Sequence, residues 1–247
     1  MLNDIKVSVR NMTKRFGDLL VLDNVSFEVK KGDFLCIVGP TGCGKTTFLN
    51  CITKLYEPTS GEILINNEPV NLKKHNIAYI FQEYSTMQWL TVEQNVAFGL
   101  ELKHVDKETI QKEVARVLEI VGLTKYKDYY PGELSTSMIQ RVVIARAFAT
   151  KPELLLMDEP YGQLDLELRF RLEDELISLW RQTGTTIIFI THNIEEAVYM
   201  SENILVLTNK PTTIKERLLN PLPRPRKVTE SDFIELRNKV TDLIKWW

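Results

Sequence analysis

Between the apolar run Phe34-Leu35-Cys36-Ile37-Val38 and a helix-like stretch opening Phe48-Leu49-Asn50 stands Gly39-Pro40-Thr41-Gly42-Cys43-Gly44-Lys45-Thr46-Thr47. Strand, glycine-rich turn and helix, in that order, leave the chain few folds to choose from. The spacing Gly-x4-Gly-Lys-Thr lets successive backbone N–H groups curl round an anion, and the helix start adds its partial positive charge. Lys45 suits the outer phosphates of such an anion, and the Thr46 hydroxyl suits Mg²⁺. The competing reading is an ordinary glycine turn, which the flanking strand and helix disfavour. The pattern therefore predicts a P-loop with a nucleoside triphosphate as its ligand.

The bulk numbers limit what surrounds that loop. With 247 residues, 44% hydrophobic and 26% charged, the chain has an ordinary globular composition and room for one large domain or two small ones. A net charge of −2 carries no general basic footprint, so nucleic acid is not an expected partner. No apolar run approaches the ~18 residues of a membrane span, and the start, Met1-Leu2-Asn3-Asp4, does not resemble a signal peptide. A cytoplasmic location follows as the expectation, with any membrane attachment made through a partner. Cys36, Cys43 and Cys51 lie in or beside the P-loop without zinc spacing and read as reduced small residues of a core.

Along the chain, β-rich runs come first: 5–9, 25–29 and 34–38, then 61–65 ending at Asn66-Asn67, then 77–81. Lys30-Lys31-Gly32-Asp33 reads as a hairpin turn joining the second and third of these. From about 83 to 150 the texture is helical. Thr91-Val92-Glu93-Gln94 is a capping box, residues 106–121 carry apolar side chains at helical spacing, and 135–150 forms a third helix. Apolar strands return at 154–157 and 186–190, flanking a helical stretch over 166–182, and suit a parallel sheet covered on both faces. Roughly 110 residues separate Lys45 from Asp158, far beyond a plain crossover of a dozen or more, which predicts an inserted subdomain. The segment Asn220-Pro221-Leu222-Pro223-Arg224-Pro225-Arg226 reads as a linker. After it, Phe233, Leu236, Val240, Leu243 and Trp247 form an apolar helical stripe, expected to dock on the chain's own surface in preference to a partner.

Two further places carry candidate chemistry. The apolar strand Leu154-Leu155-Leu156-Met157 ends in Asp158-Glu159-Pro160. Ligands of an open parallel sheet lie beyond the carboxyl ends of its strands, so Asp158 is expected to hold Mg²⁺ through water and Glu159 to act as general base. A helix N-cap with a surface acid is the bland alternative. His192 follows the strand 186–190 and is expected to contact a γ-phosphate. His75 and His104 lie in polar turns and receive no role.

Together these motifs resemble the ATP-binding subunit of an ABC transporter, over residues 5 to about 210. The resemblance implies an α/β fold: a P-loop NTPase (RecA-like) core with an N-terminal antiparallel β subdomain and an inserted α-helical subdomain. The nucleotide-binding domain would span 1–215, its helical part about 83–150, with the proline-rich linker and an amphipathic helix at 216–247. Gly39 to Thr47 resembles the Walker A motif and Leu154 to Glu159 the Walker B motif. Gln82 falls where the family has its Q-loop glutamine, which touches Mg²⁺ and water and leads into a permease-facing segment. Mg²⁺ ligands are thus expected at Thr46, Gln82 and Asp158. Gly162-Gln163-Leu164-Asp165 resembles the D-loop, His192 the H-loop histidine, and Phe16 the aromatic that stacks on adenine.

One motif departs from the pattern. The family signature Leu-Ser-Gly-Gly-Gln, or its Met variant, is replaced by Leu134-Ser135-Thr136-Ser137-Met138, while Gln140-Arg141 and Ile144-Ala145-Arg146-Ala147 stay in place. In the family, two subunits sandwich ATP head to tail, and the signature of one caps the γ-phosphate held by the other. Losing both glycines removes room for close backbone approach and any positive φ they supplied. A misfit of ~1–3 kcal/mol corresponds to roughly 5- to 150-fold in rate; the alternative is that Thr136 and Ser137 are tolerated and the rate is unchanged.

The resemblance implies an ATP-hydrolysing importer motor requiring ATP and Mg²⁺. Its partners would be transmembrane permease subunits, a second ATPase subunit (a homodimer in preference to a heterodimer) and, indirectly, an extracytoplasmic solute-binding protein. The finer resemblance is to importers of the nitrate, sulfonate, taurine and bicarbonate group. It rests on Trp89-Leu90-Thr91-Val92, Asn95-Val96, Glu195-Glu196-Ala197-Val198 and Pro223-Arg224-Pro225-Arg226. Two alternatives are a nucleotide-binding partner subunit with an impaired composite site, and a soluble ABC ATPase outside transport.

Overall fold

The computed structural model describes residues 4–162 and 166–244. The chain divides into two compact units, Asn76–Thr185 and the segments on either side of it.

The flanking segments build two sheets. β1 (Ile5–Phe16), β2 (Leu19–Lys30), β4 (Ser60–Ile65) and β5 (Glu68–Pro69) form an antiparallel sheet in the order β2-β1-β4-β5. In β2 the side chains alternate, with Val25, Phe27 and Val29 buried and Ser26, Glu28 and Lys30 exposed, the pattern of a sheet wetted on one face. β3 (Phe34–Val38) has no such alternation, every residue being buried. It lies between β8 (Thr186–Thr191) and β9 (Asn203–Leu207), parallel to both, and β10 (Ile214–Leu219) adds antiparallel to β9. The hairpin expected at Lys30 to Asp33 is therefore not formed. β2 pairs with β1 and β3 with β8 and β9, because a one-faced strand and a two-faced strand have their burial satisfied in different sheets. The 30–33 turn carries the chain from one sheet to the other.

α1 (Lys45–Ile52) leaves the P-loop, and α6 (Ile194–Met200) packs against β3 and β8. The final helix, α7 (Ser231–Ile244), docks on α6 and β9 and buries Phe233 and Val240 of the predicted stripe; Trp247 lies outside the described residues. The proline-rich segment before it is non-helical and tied down. Arg226 donates to the carbonyls of Val198, Tyr199 and Ser201 at 3.1, 2.9 and 2.7 Å, and Asn220 donates to those of Val198 and Ser201. Arg224 reaches the Tyr199 and Met200 carbonyls and the Glu202 carboxylate. These are carbonyls at the C-terminus of α6, which have no partner within the helix and lie at its negative end.

In the other unit, β6 (Ile77–Ile80) and β7 (Leu154–Asp158) pair in parallel. α2 (Val92–Leu102) starts at the predicted capping box: Thr91 Oγ1 accepts from Gln94 N–H, and the Gln94 side chain accepts from Thr91 N–H. α3 (Lys107–Ile120) is capped by Asp106. α4 (Thr136–Ala149) buries Val142 to Ala145 and Ala147 to Ala149 consecutively, so its second half is enclosed on most sides, and it packs against α2, α3 and β6. α5 (Leu166–Thr183) follows β7.

Candidate functional site

Strand register sets the catalytic candidates in two groups. In the first, Val38 of β3 stands beside Thr191 of β8 in a parallel pair. The chain leaves β3 into the P-loop at Gly39 and leaves β8 at His192, so both emerge at the carboxyl ends of neighbouring strands. In the second, Ile80 of β6 stands beside Met157 of β7. Gln82 and the pair Asp158-Glu159 therefore emerge together in the same way, where open α/β sheets bind ligands.

The P-loop is held from several sides. Gly44 adopts φ 115° as the N-cap of α1, and a Cβ there would sit 2.8 Å from Val21 Cγ1 of β2. Only glycine allows both that backbone and that contact. Thr212 Oγ1 donates to the Cys43 carbonyl, and the Thr212 backbone bonds β2 at Val21 and Asp23. Lys45 is buried, and its Nζ donates to the carbonyls of Gly39 and Pro40 at 3.0 and 3.1 Å, which keeps its charge at the loop. Thr41, Gly42 and Thr46 are exposed. Burial pushes the Cys43 thiol up against the opposing pull of Lys45, and pushes Cys51 up to about 11.

His192 is exposed between two locked neighbours. Asn193 N–H donates to Thr191 Oγ1 at 2.9 Å, and Asn193 Oδ1 caps α6 through the N–H groups of Glu195 and Glu196. Thr191 in turn donates to Glu196 Oε2. The backbone on both sides of His192 is thus fixed while the residue itself stays exposed.

At the end of β7, Asp158 is buried and Glu159 half-buried, with Glu159 at φ 45°. A left-handed backbone is uncommon for a residue with a side chain and is found where a site over-determines the chain path. Tyr79 Oη donates to Asp158 Oδ2 at 3.4 Å. Burial, with the Asp158 charge beside it, raises the Tyr79 phenol well above its ordinary value and keeps it a donor. Sequence reasoning passed over Tyr79, although its place two residues before Phe81 on a strand leading to Gln82 was a signal for it. Gln82 is exposed. The loop after it is stitched down: Arg146 donates to the Ser85 carbonyl and hydroxyl at 2.8 and 2.6 Å. Buried Asn95 accepts from Met87 N–H and donates to the carbonyls of Met87, Leu90 and Thr91. Beside this loop lies a cavity of 470 Å³ whose lining includes Phe81, Met87, Phe98, Leu102, Lys103 and Arg146. Nearby in sequence, Trp89 is 75% exposed.

In one unit Thr46 offers a hydroxyl; in the other Gln82 offers an amide oxygen and Asp158 a carboxylate; each is a hard-oxygen donor of the kind Mg²⁺ takes. Asp165 lies outside the described residues. The signature residues open α4. Ser135 is its N-cap, accepting from Met138 N–H at 3.4 Å, and its hydroxyl also bonds that of Ser137 at 3.0 Å. Thr136 and Ser137 are the first helical residues, so neither is asked for a positive φ. Of the two penalties expected from losing glycine, only the loss of close approach applies to this backbone.

Residues 22–162 match the family model described as ABC transporter. An aliphatic sulfonates import ATP-binding protein of Bacillus cereus is 42% identical over 238 residues, covering 95% of this chain and 94% of its own. An uncharacterised ABC transporter ATP-binding protein of Methanocaldococcus jannaschii is 41% identical over 245 residues, covering 98% and 92%. Among solved structures, a component of an ABC transporter complex from Clostridium perfringens superposes with a TM-score of 0.80 at 26% identity, covering 88% of this chain and 89% of its own. A dimeric ATP-binding cassette in a post-hydrolysis state with ADP and phosphate gives 0.76 at 29% identity, covering 88% and 100%.

Proposed function

Because this chain belongs to the ATP-binding subunits of ABC transporters, we propose that it powers import of a small solute of the nitrate, sulfonate, taurine or bicarbonate type. The observation that carries the motor part of this reading is the register that brings P-loop and His192 to one pair of strand ends, and Gln82 and Asp158-Glu159 to another; the import part rests on the similarity to the aliphatic sulfonates import ATP-binding protein.

In this reading the amides of Gly39 to Thr47 hold the phosphates and Lys45 adds its charge. Mg²⁺, when bound, neutralises phosphate charge, and Thr46, Gln82 and Asp158 would hold it. Glu159 accepts the proton of the water that attacks the γ-phosphorus, as the bond to the β-phosphate oxygen breaks to leave ADP and phosphate. His192 orients the γ-phosphate, Phe16 stacks on adenine, and Asp165 and Ser135 to Met138 act across a dimer on the nucleotide of the second subunit. A permease segment seats in the cavity lined by Phe81, Met87 and Leu102, next to exposed Trp89, and holds the protein at the cytoplasmic face of the membrane. ATP binding closes the dimer and hydrolysis reopens it, and the loop after Gln82 relays the movement. The boundary expected between 1–215 and 216–247 falls inside β10 (Ile214–Leu219), which pairs with β9, so we read the C-terminal segment as part of the nucleotide-binding domain it packs on.

Glu159→Gln is the direct test. Turnover should fall at least a hundredfold, the scale of a lost general base, while ATP binding persists and the dimer accumulates; undiminished turnover removes Glu159 as the base. Cargo is settled by reconstituting the motor with its permease and binding protein, and asking which of the four solute types stimulates hydrolysis.

A second reading has its own observation. The Ser135 hydroxyl is engaged by Ser137, so this chain's signature meets a partner's nucleotide with less free hydrogen-bonding capacity. In a heterodimer with a partner of ordinary signature, the ATP site on the partner's P-loop would then be the weaker of the two. Equal hydrolysis at both sites of the assembled transporter would exclude this.

A further inference from the structure

Phe16 closes β1 at the tip of the β1–β2 hairpin, where it stays 41% exposed. It does not stand alone. Tyr56, 39% exposed, meets it edge-on, with ring centroids 5.2 Å apart and ring planes at 84°. Lys14 Nζ lies 4.8 Å from the Phe16 centroid and 5.6 Å from that of Tyr56. The ammonium is itself tethered, donating to the Glu57 carbonyl at 2.7 Å. Two large rings kept at the surface under one cation make a platform, not a unit of the core.

Both arms of this cluster lead to the P-loop. The β2 arm of the hairpin carries Val21, against which Gly44 packs. The other arm begins in the P-loop itself, since α1 starts at Lys45. Past α1, Tyr56 N–H bonds the Asn50 carbonyl at 3.0 Å and Thr59 N–H bonds the Thr13 carbonyl at 2.8 Å. Arg15 N–H donates to Thr59 Oγ1 at 2.9 Å. The chain leaving the phosphate site is thus pinned to β1, which delivers Tyr56 to Phe16.

We propose that Tyr56, assisted by Lys14, is a positioning residue for recognition of the purine base of the nucleoside triphosphate. A phenylalanine at a hairpin tip has two free side-chain torsions that stacking on a base must fix. The edge contact with Tyr56 and the ammonium over both rings fix them beforehand, so the ordering cost is removed from the binding step. The contact between the two rings does this work, and the tyrosine hydroxyl is dispensable. The inference rests on Phe16 being the base-stacking aromatic, and its test separates the two.

Calorimetric binding of ATP and of inorganic triphosphate, each with Mg²⁺, to the full chain provides that test. Tyr56→Leu should weaken ATP about three- to tenfold, the range of an aromatic pair contact, and leave triphosphate within about twofold. Tyr56→Phe should bind ATP like the parent, and Lys14→Met should show a smaller loss of about twofold. Should Phe16→Ala weaken ATP while Tyr56→Leu does not, the positioning role is overturned and base stacking stands. An unchanged ATP affinity in Phe16→Ala removes base stacking and this role together. Equal losses of ATP and triphosphate in Tyr56→Leu would show support of the P-loop alone, and would also overturn the proposal.

Discussion

Glu159 combines a carboxylate at the end of a buried strand with a φ of 45°. The carboxylate was legible in the sequence as the close of an apolar run. The backbone was not, because only the packed surroundings make a glutamate accept that region. At Thr136 and Ser137 the surprise is reversed. A glycine-dependent conformation was in question there, and both residues are plain helix. Thr136→Gly with Ser137→Gly should raise turnover per folded dimer about tenfold, toward the lower end of the steric range. It should also cost stability, roughly 0.5–1 kcal/mol for each helical glycine. Steady-state hydrolysis beside a urea titration separates the effects, and an unchanged rate would show that the native signature is already adequate. Cys51 offers a pH test. Burial pushes its thiol up to about 11 from 9.0, so between those values the folded chain holds more protons than the unfolded one. Its contribution is intact below pH 9 and is lost as pH rises toward 11. Urea midpoints should fall across that window less steeply in Cys51→Ala than in the parent.

At the scale of elements, caps decide where helices begin and end. The Thr91-Gln94 box was visible in sequence because both partners lie within four residues, and it forms as expected. Thr91→Ala should cost about 1 kcal/mol, read as a lower urea midpoint with an unchanged slope. The C-terminus of α6 is finished by Asn220, Arg224 and Arg226, some twenty residues on. In the sequence these read as a linker, since prolines exclude regular structure but do not say what the arginines between them bind. The Arg226 side chain is 1% exposed and bonds three carbonyls at that terminus. Arg226→Met should therefore destabilise by about 2–4 kcal/mol, the cost of buried acceptors left short of donors. A loss under 1 kcal/mol in thermal or urea unfolding would mean that Asn220 and Arg224 suffice.

At the scale of the whole molecule, no helix among the described residues is long and apolar enough to cross a membrane. The proposed work on a membrane then depends on a partner, and the cavity beside the Gln82 loop is where that dependence is testable. Its wall joins Phe81, Met87, Phe98 and Leu102 with the cations of Lys103 and Arg146. An apolar segment seated there is lost when a charge is buried against it. Leu102→Asp should release the chain from the membrane fraction and from its permease in co-purification. Retention of both would place the docking surface elsewhere.

By itself the sequence determined the local pieces: the P-loop between strand and helix, the carboxylates ending a buried strand, the capping box and the helical texture after residue 83. Those signals are short-range, set by neighbouring residues and by periodicities of two and 3.6. Only the tertiary structure decided which strands pair, so that the expected turn at Lys30 to Asp33 joins two sheets and Val38 stands beside Thr191. It alone brought Tyr56 to Phe16 and Arg226 to the end of α6. Such contacts join residues far apart in the chain, and their partners are chosen by burial and by the need to satisfy buried carbonyls, which no local pattern records.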